Sequence, residues 1–213
     1  MRESRLSSDS LSIRDTNPLA FFAGFLRNPQ EVGSLIPSSR FLEQKIIQAA
    51  LLDEARLVVE LGPGTGGTTR AILARLPADA TLLTIDMSRE FIDLLDVNIT
   101  DPRLINHHGS AADLPAILQH YGLGAPDAII SGIPFSTMPA ATGRSILQSI
   151  AGLLAPGGRF VAYQFRNDVA VLAEPILGKP CTVGEWRNVP PMRVYRWIRR
   201  AVDTPGEQLQ STA

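Results

Sequence analysis

The chain has 213 residues, of which 45% are hydrophobic, and 20 Lys and Arg side chains balance 21 Asp and Glu side chains to give a formal net charge of −1. This length matches one α/β domain with a short appendage, and the balanced charge argues against a dedicated nucleic-acid binder. The only cysteine, Cys181, excludes an internal disulfide and fits a reducing compartment. We expect its thiol to be buried or inert.

The N-terminal part predicts a leader followed by helices. Residues 1–16 are polar and rich in serine, so we expect a disordered leader, and residues 17–52 are predicted to form N-terminal helices. Leu19, Phe22 and Leu26 follow an i, i+3, i+7 spacing, which predicts an amphipathic helix. This helix either lies on a membrane surface or covers the ligand site as a lid, and the sequence favours neither role. The apolar run is too short to cross a bilayer.

A domain is predicted for residues 53–202, in which short apolar runs alternate with helical patterns. The runs predict buried parallel strands over residues 57–61, 81–86, 103–108, 126–131 and 158–165. Helical spacing follows each of the first four strands, a β-hairpin is predicted over 181–200, and the tail 203–213 is expected to be disordered. Because parallel strands need right-handed crossovers, the pattern predicts an α/β, doubly wound, mostly parallel sheet.

The turn after the first strand predicts a ligand site. Gly62, Gly64 and Gly66 lie between a strand and a helix, where glycine allows close approach of the backbone to a ligand. A glycine-rich turn at this place also suits a dinucleotide, but Glu60 ends the strand and its carboxylate would repel a pyrophosphate. The acid instead favours a ligand with a cationic amino-acid end. The E-x-G-x-G-x-G pattern resembles the first motif of class I S-adenosylmethionine-dependent methyltransferases.

This resemblance implies S-adenosylmethionine as cofactor, with S-adenosylhomocysteine as product, and further contacts along the same sheet edge. Asp86 ends the second strand 20 residues after Gly66 (86 − 66 = 20), where an acid hydrogen-bonds ribose hydroxyls in nucleotide-binding sheets. Met87 is expected to pack on the adenine, and Ser110 and Ala111 are expected to line the adenine pocket. No His, Cys or Asp cluster has metal-ligand spacing, so we predict no metal site.

Two further segments resemble bacterial phospholipid N-methyltransferases, which convert phosphatidylethanolamine stepwise to phosphatidylcholine. They are FLRNPQEVGSLIPSSRFL, before the first strand, and SGIPFSTMP, after the fourth. With the glycine motif, the resemblance covers most of residues 21–165. It implies that Pro37 and Ser38 lie near the amino-acid end of the cofactor, and that Ser131 lines both the cofactor and the point of methyl transfer. It also implies a seven-stranded Rossmann-like sheet that closes with the C-terminal antiparallel hairpin.

The implied partners are a phospholipid substrate and an anionic membrane surface, with no nucleic acid. We therefore expect a cytoplasmic monomer, peripheral at the inner face of the cell membrane. Methylation of an amine requires loss of its proton, and an apolar pocket lowers the pKa of an amine without a dedicated histidine. Tyr163 and Phe135, with Ser131, are the candidate catalytic residues, and their rings would also tolerate a quaternary ammonium product. Phe165 is expected to be a core aromatic residue.

Two alternative functions remain open. An rRNA adenine dimethyltransferase has a similar fold and early motifs, but its usual target-adenine loop has the form Asn-Leu-Pro-(Tyr/Phe), where this chain has Ser131 and Gly132. A non-catalytic cofactor-binding module at a membrane would also keep the glycine motif. The arginines of the predicted hairpin form either a second lipid-facing set or a solvated strand edge: Arg193, Arg196, Arg199 and Arg200.

Overall fold

The computed structural model of the protein describes residues 38–200. Seven strands form one sheet in the order β3-β2-β1-β4-β5-β7-β6, in which only β7 runs antiparallel to β5 and β6 pairs with β7 in an antiparallel hairpin. The strands are β1 (Leu57–Leu61), β2 (Thr81–Asp86), β3 (Leu104–His108), β4 (Ala128–Ser131), β5 (Arg159–Gln164), β6 (Cys181–Glu185) and β7 (Met192–Ile198). The predicted doubly wound sheet and its closing hairpin are confirmed.

Helices connect the parallel strands and cover both faces of the sheet. The described residues contain α1 (Arg40–Ala50), α2 (Gly67–Leu73), α3 (Arg89–Asn98), α4 (Leu114–His120), α5 (Ala140–Leu153) and α6 (Asp168–Leu177), with 3-10 turns at Leu52–Glu54 and Ala111–Asp113. The sequence analysis assigned no element to the segment that forms α6. No helix in the described part of the chain has the length and hydropathy that crossing a membrane requires.

Side-chain alternation along the strands divides the core into two layers. Val58 of β1 belongs to a cluster that contains buried residues of α1 and α2, and Val59 belongs to a second cluster with residues of α4, α5 and α6. Every residue of β1 is buried because neighbouring strands and helices surround it. The last polar side chain of β1 therefore points into the layer that α1 and α2 form.

The order of the strands places a crevice at the end of β1. This strand pairs with β2 on one side and with β4 on the other, both in parallel register. The crossovers from β1 and from β4 leave toward opposite faces of the sheet, so a crevice opens at the carboxyl ends of these strands. In open α/β sheets such a point is where ligands bind.

Some sequence predictions are corrected by the fold, and others lie outside it. Cys181 is exposed on β6 rather than buried, because β6 is the edge strand. Phe165 is 56% exposed directly after β5, so the expectation of a core residue is wrong. Outside the described residues lie the leader, the amphipathic segment around residues 19–26, Pro37 and the C-terminal tail.

Candidate cofactor and acceptor site

Glu60 occupies the end of β1 as a fully buried carboxyl group. The Thr69 hydroxyl on α2 donates a 2.7 Å hydrogen bond to Glu60 Oε2, whereas Oε1 has no hydrogen-bond partner among the described residues. Burial raises the pKa of Glu60 to about 8, against the opposing effect of the Thr69 hydrogen bond, and the nearby charge of Asp86 raises the pKa further. A buried carboxylate with a free oxygen suits a cationic ligand.

The glycine turn brings the backbone of β1 against the loop after β4. Gly62 has φ = +72°, and a Cβ there would lie 2.9 Å from Ile133 Cγ2 and 3.3 Å from the Ile133 backbone nitrogen. Only glycine combines this φ with this approach. The two loops thus meet directly at the crevice.

Asp86 lies at the end of β2 and is held by backbone amides. Its Oδ1 accepts a 2.8 Å hydrogen bond from the Ser88 N–H, and its Oδ2 accepts a 3.4 Å hydrogen bond from the Gly64 N–H. Burial raises the pKa of Asp86, although both hydrogen bonds act in the opposite direction. The carboxyl group is therefore positioned beside the glycine turn. Its bond to ribose remains a prediction, as does the packing of adenine on the exposed Met87.

The two candidate residues after β3, Ser110 and Ala111, have few polar side-chain groups available to a ligand. The Ser110 hydroxyl accepts a 3.2 Å hydrogen bond from the Ala112 N–H and caps the following 3-10 turn. Ala111 is buried in the α4 and α5 layer. Adenine contact by Ser110 and Ala111 stays a prediction, which now depends on their backbone more than on the serine hydroxyl.

Tyr163 on β5 covers the loop after β4. A Cβ at Gly132 would collide with the Tyr163 hydroxyl and would lie 2.9 Å from Tyr163 Cζ. The side chains of Thr68 and Ser38 lie beside this hydroxyl and lower its pKa. Burial is the main reason that the pKa of Tyr163 is nevertheless raised, with further increases from the charges of Glu60 and Glu43. Tyr163 therefore keeps a neutral hydroxyl at neutral pH.

The loop after β4 is held in place, and its aromatic residue faces inward. Gln164 Nε2 donates a 2.7 Å hydrogen bond to the Ile133 carbonyl oxygen, which ties the loop to β5. Phe135 is only 2% exposed and packs in the core cluster with residues of α5. Its role as a pocket wall remains a prediction. The Ser131 hydroxyl is fully buried and has no partner within residues 38–200, so it remains available to a ligand.

The structure adds three residues that the sequence analysis did not select. Thr69 holds Glu60, Thr68 contacts the Tyr163 hydroxyl, and the Glu43 carboxylate lies above Gly67 at the start of α2. Burial raises the pKa of Glu43. Two threonines inside a glycine-rich turn and one acid in the first turn of a helix have ordinary local explanations, so only the packing of α1 on α2 identifies them.

Comparison with known proteins agrees with this geometry. A family model described as a methyltransferase domain matches residues 58–158. An ornithine lipid N-methyltransferase from Singulisphaera acidiphila is 29% identical over 188 residues, which cover 82% of this chain and 92% of that protein. A ribosomal RNA small subunit methyltransferase A from Erythrobacter litoralis is 29% identical over 154 residues, but this chain spans only 51% of its length.

Solved structures show the same fold at low sequence identity. The N-methyltransferase NodS from Bradyrhizobium japonicum, in complex with S-adenosyl-L-homocysteine, has a TM-score of 0.61 at 14% identity and covers 81% of this chain and 97% of its own. The NodS structure thus shows S-adenosyl-L-homocysteine bound to a protein of this fold, and S-adenosylmethionine is the cofactor that the sequence predicts for this chain.

The residues at the crevice fit that cofactor. Glu60 Oε1 and Ser131 Oγ are buried without partners, and buried polar atoms are normally satisfied by hydrogen bonds. The ammonium group of S-adenosylmethionine would supply donors for Glu60, and the amide-held Asp86 would supply acceptors for its hydroxyl groups. No set of three or more His, Cys, Asp and Glu side chains within residues 38–200 is arranged to hold a metal.

We predict that cofactor binding releases a proton from Glu60. The free protein keeps Glu60 protonated below its pKa of about 8, whereas a bound ammonium favours the carboxylate. The affinity for S-adenosylhomocysteine should therefore rise as the pH increases toward 8. Titration calorimetry at pH 7, in buffers of different ionisation enthalpy, measures the proton release directly. Glu60→Gln should bind at least about tenfold more weakly and release no proton. Buffer-independent heats in the parent protein would exclude this linkage.

The same substitution should stabilise the cofactor-free protein at high pH. The pKa of Glu60 is raised by folding, so its contribution to stability is complete below about pH 4.5 and is lost as the pH rises through about 8. Glutamine carries no such dependence, and we expect Glu60→Gln to raise the melting temperature by about 5 °C at pH 9. At pH 4, where Glu60 is largely protonated in both the folded and the unfolded chain, the two proteins should melt within a degree or so of each other. Equal midpoints at pH 9 would contradict the burial effect.

Proposed function

We propose that this chain, a class I S-adenosylmethionine-dependent methyltransferase, transfers methyl groups to the amine headgroup of a membrane lipid. The substrate suggested by the sequence resemblance is phosphatidylethanolamine with its methylated intermediates, toward phosphatidylcholine. The ornithine lipid named for the Singulisphaera acidiphila relative also carries an amine. Both substrates present the same reacting group, so the proposal concerns lipid amines, with phosphatidylethanolamine as the first candidate.

The observation that carries the proposal is the Tyr163 hydroxyl above Gly132. It occupies the space into which a side chain at position 132 would project. An Asn-Leu-Pro-(Tyr/Phe) loop for a target adenine therefore does not fit on this backbone. Flipped bases are also read by stacking between aromatic side chains, and Phe135 is buried in the core. A small amine needs neither an amide at position 132 nor a stacking ring.

The reaction requires little of the protein beyond binding and orienting the methyl donor and the amine. When bound, S-adenosylmethionine supplies a methyl group on a positively charged sulfur. An alkyl amine resembles lysine, so only about one molecule in 10³ is neutral at pH 7 in water. Burial beside a positive charge lowers the pKa of the amine and increases that fraction. The raised pKa of Tyr163 excludes a phenolate base at neutral pH.

We assign Tyr163 the role of orienting the amine. Its neutral hydroxyl can accept a hydrogen bond from an N–H of the amine. That arrangement holds the nitrogen so that its lone pair faces the methyl group. Glu60 binds the cofactor rather than the amine, because its free oxygen lies at the end of β1 beside the glycine turn.

Tyr163→Phe should separate turnover from cofactor affinity. Losing one neutral hydrogen bond to the amine should lower kcat about tenfold, while the dissociation constant of S-adenosylhomocysteine changes by less than about twofold. Single-turnover assays and calorimetry measure the two quantities. The matched control is Tyr195→Phe, which removes a buried hydroxyl that has no partner in the described residues. Unchanged kcat in Tyr163→Phe would remove this residue from the reaction.

The substrate class is tested by the lipids of cells that express the protein. We expect mass spectrometry to detect methylated derivatives of phosphatidylethanolamine with the parent chain and none with Glu60→Gln. Purified protein should also transfer label from the methyl donor to lipid vesicles. Label in ornithine lipid alone would support a lipid amine as the substrate class and exclude phosphatidylethanolamine as the substrate. Label in ribosomal RNA and not in either lipid would overturn the proposal.

A further inference from the structure

The turn between β6 and β7 lies at the same edge of the sheet as the candidate site. β5 ends at Gln164, which pairs with Arg193 at the start of β7, and β6 ends at Glu185, which pairs with Met192. Because β5 is parallel to β1, these ends share the edge at which Glu60 lies. We define the edge surface as the large exposed side chains of this region: Phe165, Arg166, Trp186, Arg187, Val189 and Arg193.

The edge surface presents apolar side chains from an anchored backbone. Trp186 is 78% exposed, and Val189 and Phe165 are also exposed. Between the first two, Asn188 is buried and its Oδ1 accepts a 2.8 Å hydrogen bond from the Ser39 N–H. The turn is therefore fixed while its largest apolar side chains face outward. These exposed side chains add little to the packing of the core, and large exposed apolar side chains grouped at one edge suit a contact site.

Around these side chains, the positively charged groups are more exposed than the negatively charged groups. In the ion pair of Arg187 with Glu185, 60% of the arginine side chain is exposed but only 2% of the glutamate. In the pair of Arg166 with Asp168, the values are 69% and 32%. Both pairs thus direct the cation outward. An edge of outward arginines around Trp, Phe and Val side chains complements an anionic lipid surface, where aromatic rings favour the interface and cations contact headgroups.

The edge surface adjoins the residues that we assign to the acceptor. The Ser39 N–H donates to Asn188 of the turn, and the side chain of the preceding residue, Ser38, lies beside the Tyr163 hydroxyl. A lipid headgroup amine lies only a few bonds from the bilayer surface. An enzyme that takes this amine from a bilayer must bring its site to the interface, and a surface beside Tyr163 does so.

We infer that the edge surface inserts into an anionic lipid bilayer and holds the site at the headgroup level. This inference rests on the proposed lipid substrate. The edge surface is not the same as the set of hairpin arginines considered from the sequence, because the structure separates those arginines. Arg193 lies at the site edge, whereas Arg199 Nη1 donates to the Gly152 and Leu154 carbonyl oxygens at the opposite edge.

Tryptophan fluorescence tests the insertion directly. The chain has two tryptophans, and Trp197 is buried and stacked on Phe160, so Trp186 reports on the surface. The full chain is mixed with vesicles of equal parts phosphatidylglycerol and phosphatidylcholine that carry bromine on their acyl chains. We expect quenching in the parent chain and none in Trp186→Phe, which retains only Trp197. Vesicle binding without quenching of Trp186, or no binding, overturns the inference.

Affinity variants give an independent measurement. Trp186→Ser should weaken sedimentation with these vesicles by about tenfold, since a large apolar side chain leaves the interface. The control is Val97→Ser, an exposed apolar residue at the far end of α3, which should leave binding unchanged. Equal losses in both variants would overturn the inference.

The design separates this surface from the proposed function. Quenching is measured without methyl donor, so a lipid-bound Trp186 in a protein that methylates no lipid rejects the substrate and keeps the surface. Lipid methylation without quenching rejects the surface alone. If ribosomal RNA rather than vesicles quenches the fluorescence, the surface contacts RNA, and the bilayer inference is also rejected.

Discussion

The site depends on one buried carboxyl group whose charge the protein alone does not balance. Glu60 has a single hydrogen bond, from Thr69, and its second oxygen lacks a partner within the described residues. A protein interior disfavours such a charge, which is why the pKa of Glu60 rises to about 8. The missing interaction is a cation. We expect the ammonium group of the cofactor to supply this cation, which would turn an unfavourable acid into one half of an ion pair.

The sheet produces this situation through the position of β1. A strand flanked by β2 and β4 and covered on both faces can end in a polar residue only where a ligand will meet it. The same register brings the loop after β4 against the glycine turn, with Gly62 and Ile133 in contact. Tyr163 then reaches the loop from β5, and Ser38, just before α1, lies beside Thr68 of α2. Cofactor and acceptor residues therefore converge although they are distant in sequence.

Local patterns predicted what depends on the backbone and missed what depends on packing between elements. The continuous apolar run of β1 and the acid before the glycines were sufficient to place Glu60 and Asp86. Phe165 was assigned in the wrong sense, because burial of a residue just after a strand depends on the loop that follows. The helix α6 was missed, because its largely apolar sequence and internal Pro175 give no clear amphipathic spacing. Thr69 became visible only when α2 was packed on β1.

Amine methylation and membrane contact both require that water be excluded from this edge of the molecule. The free amine is scarce in water at neutral pH, and its pKa falls when water is removed. Insertion of Trp186 beside the Ser38 and Tyr163 pair would exclude water from the entrance, as well as bring the lipid to it. The neutral Tyr163 hydroxyl suits such a dry entrance, because it orients an amine without adding a charge that would need solvation. A site of this kind needs no histidine, since its surroundings supply the shift in pKa that a base would otherwise provide.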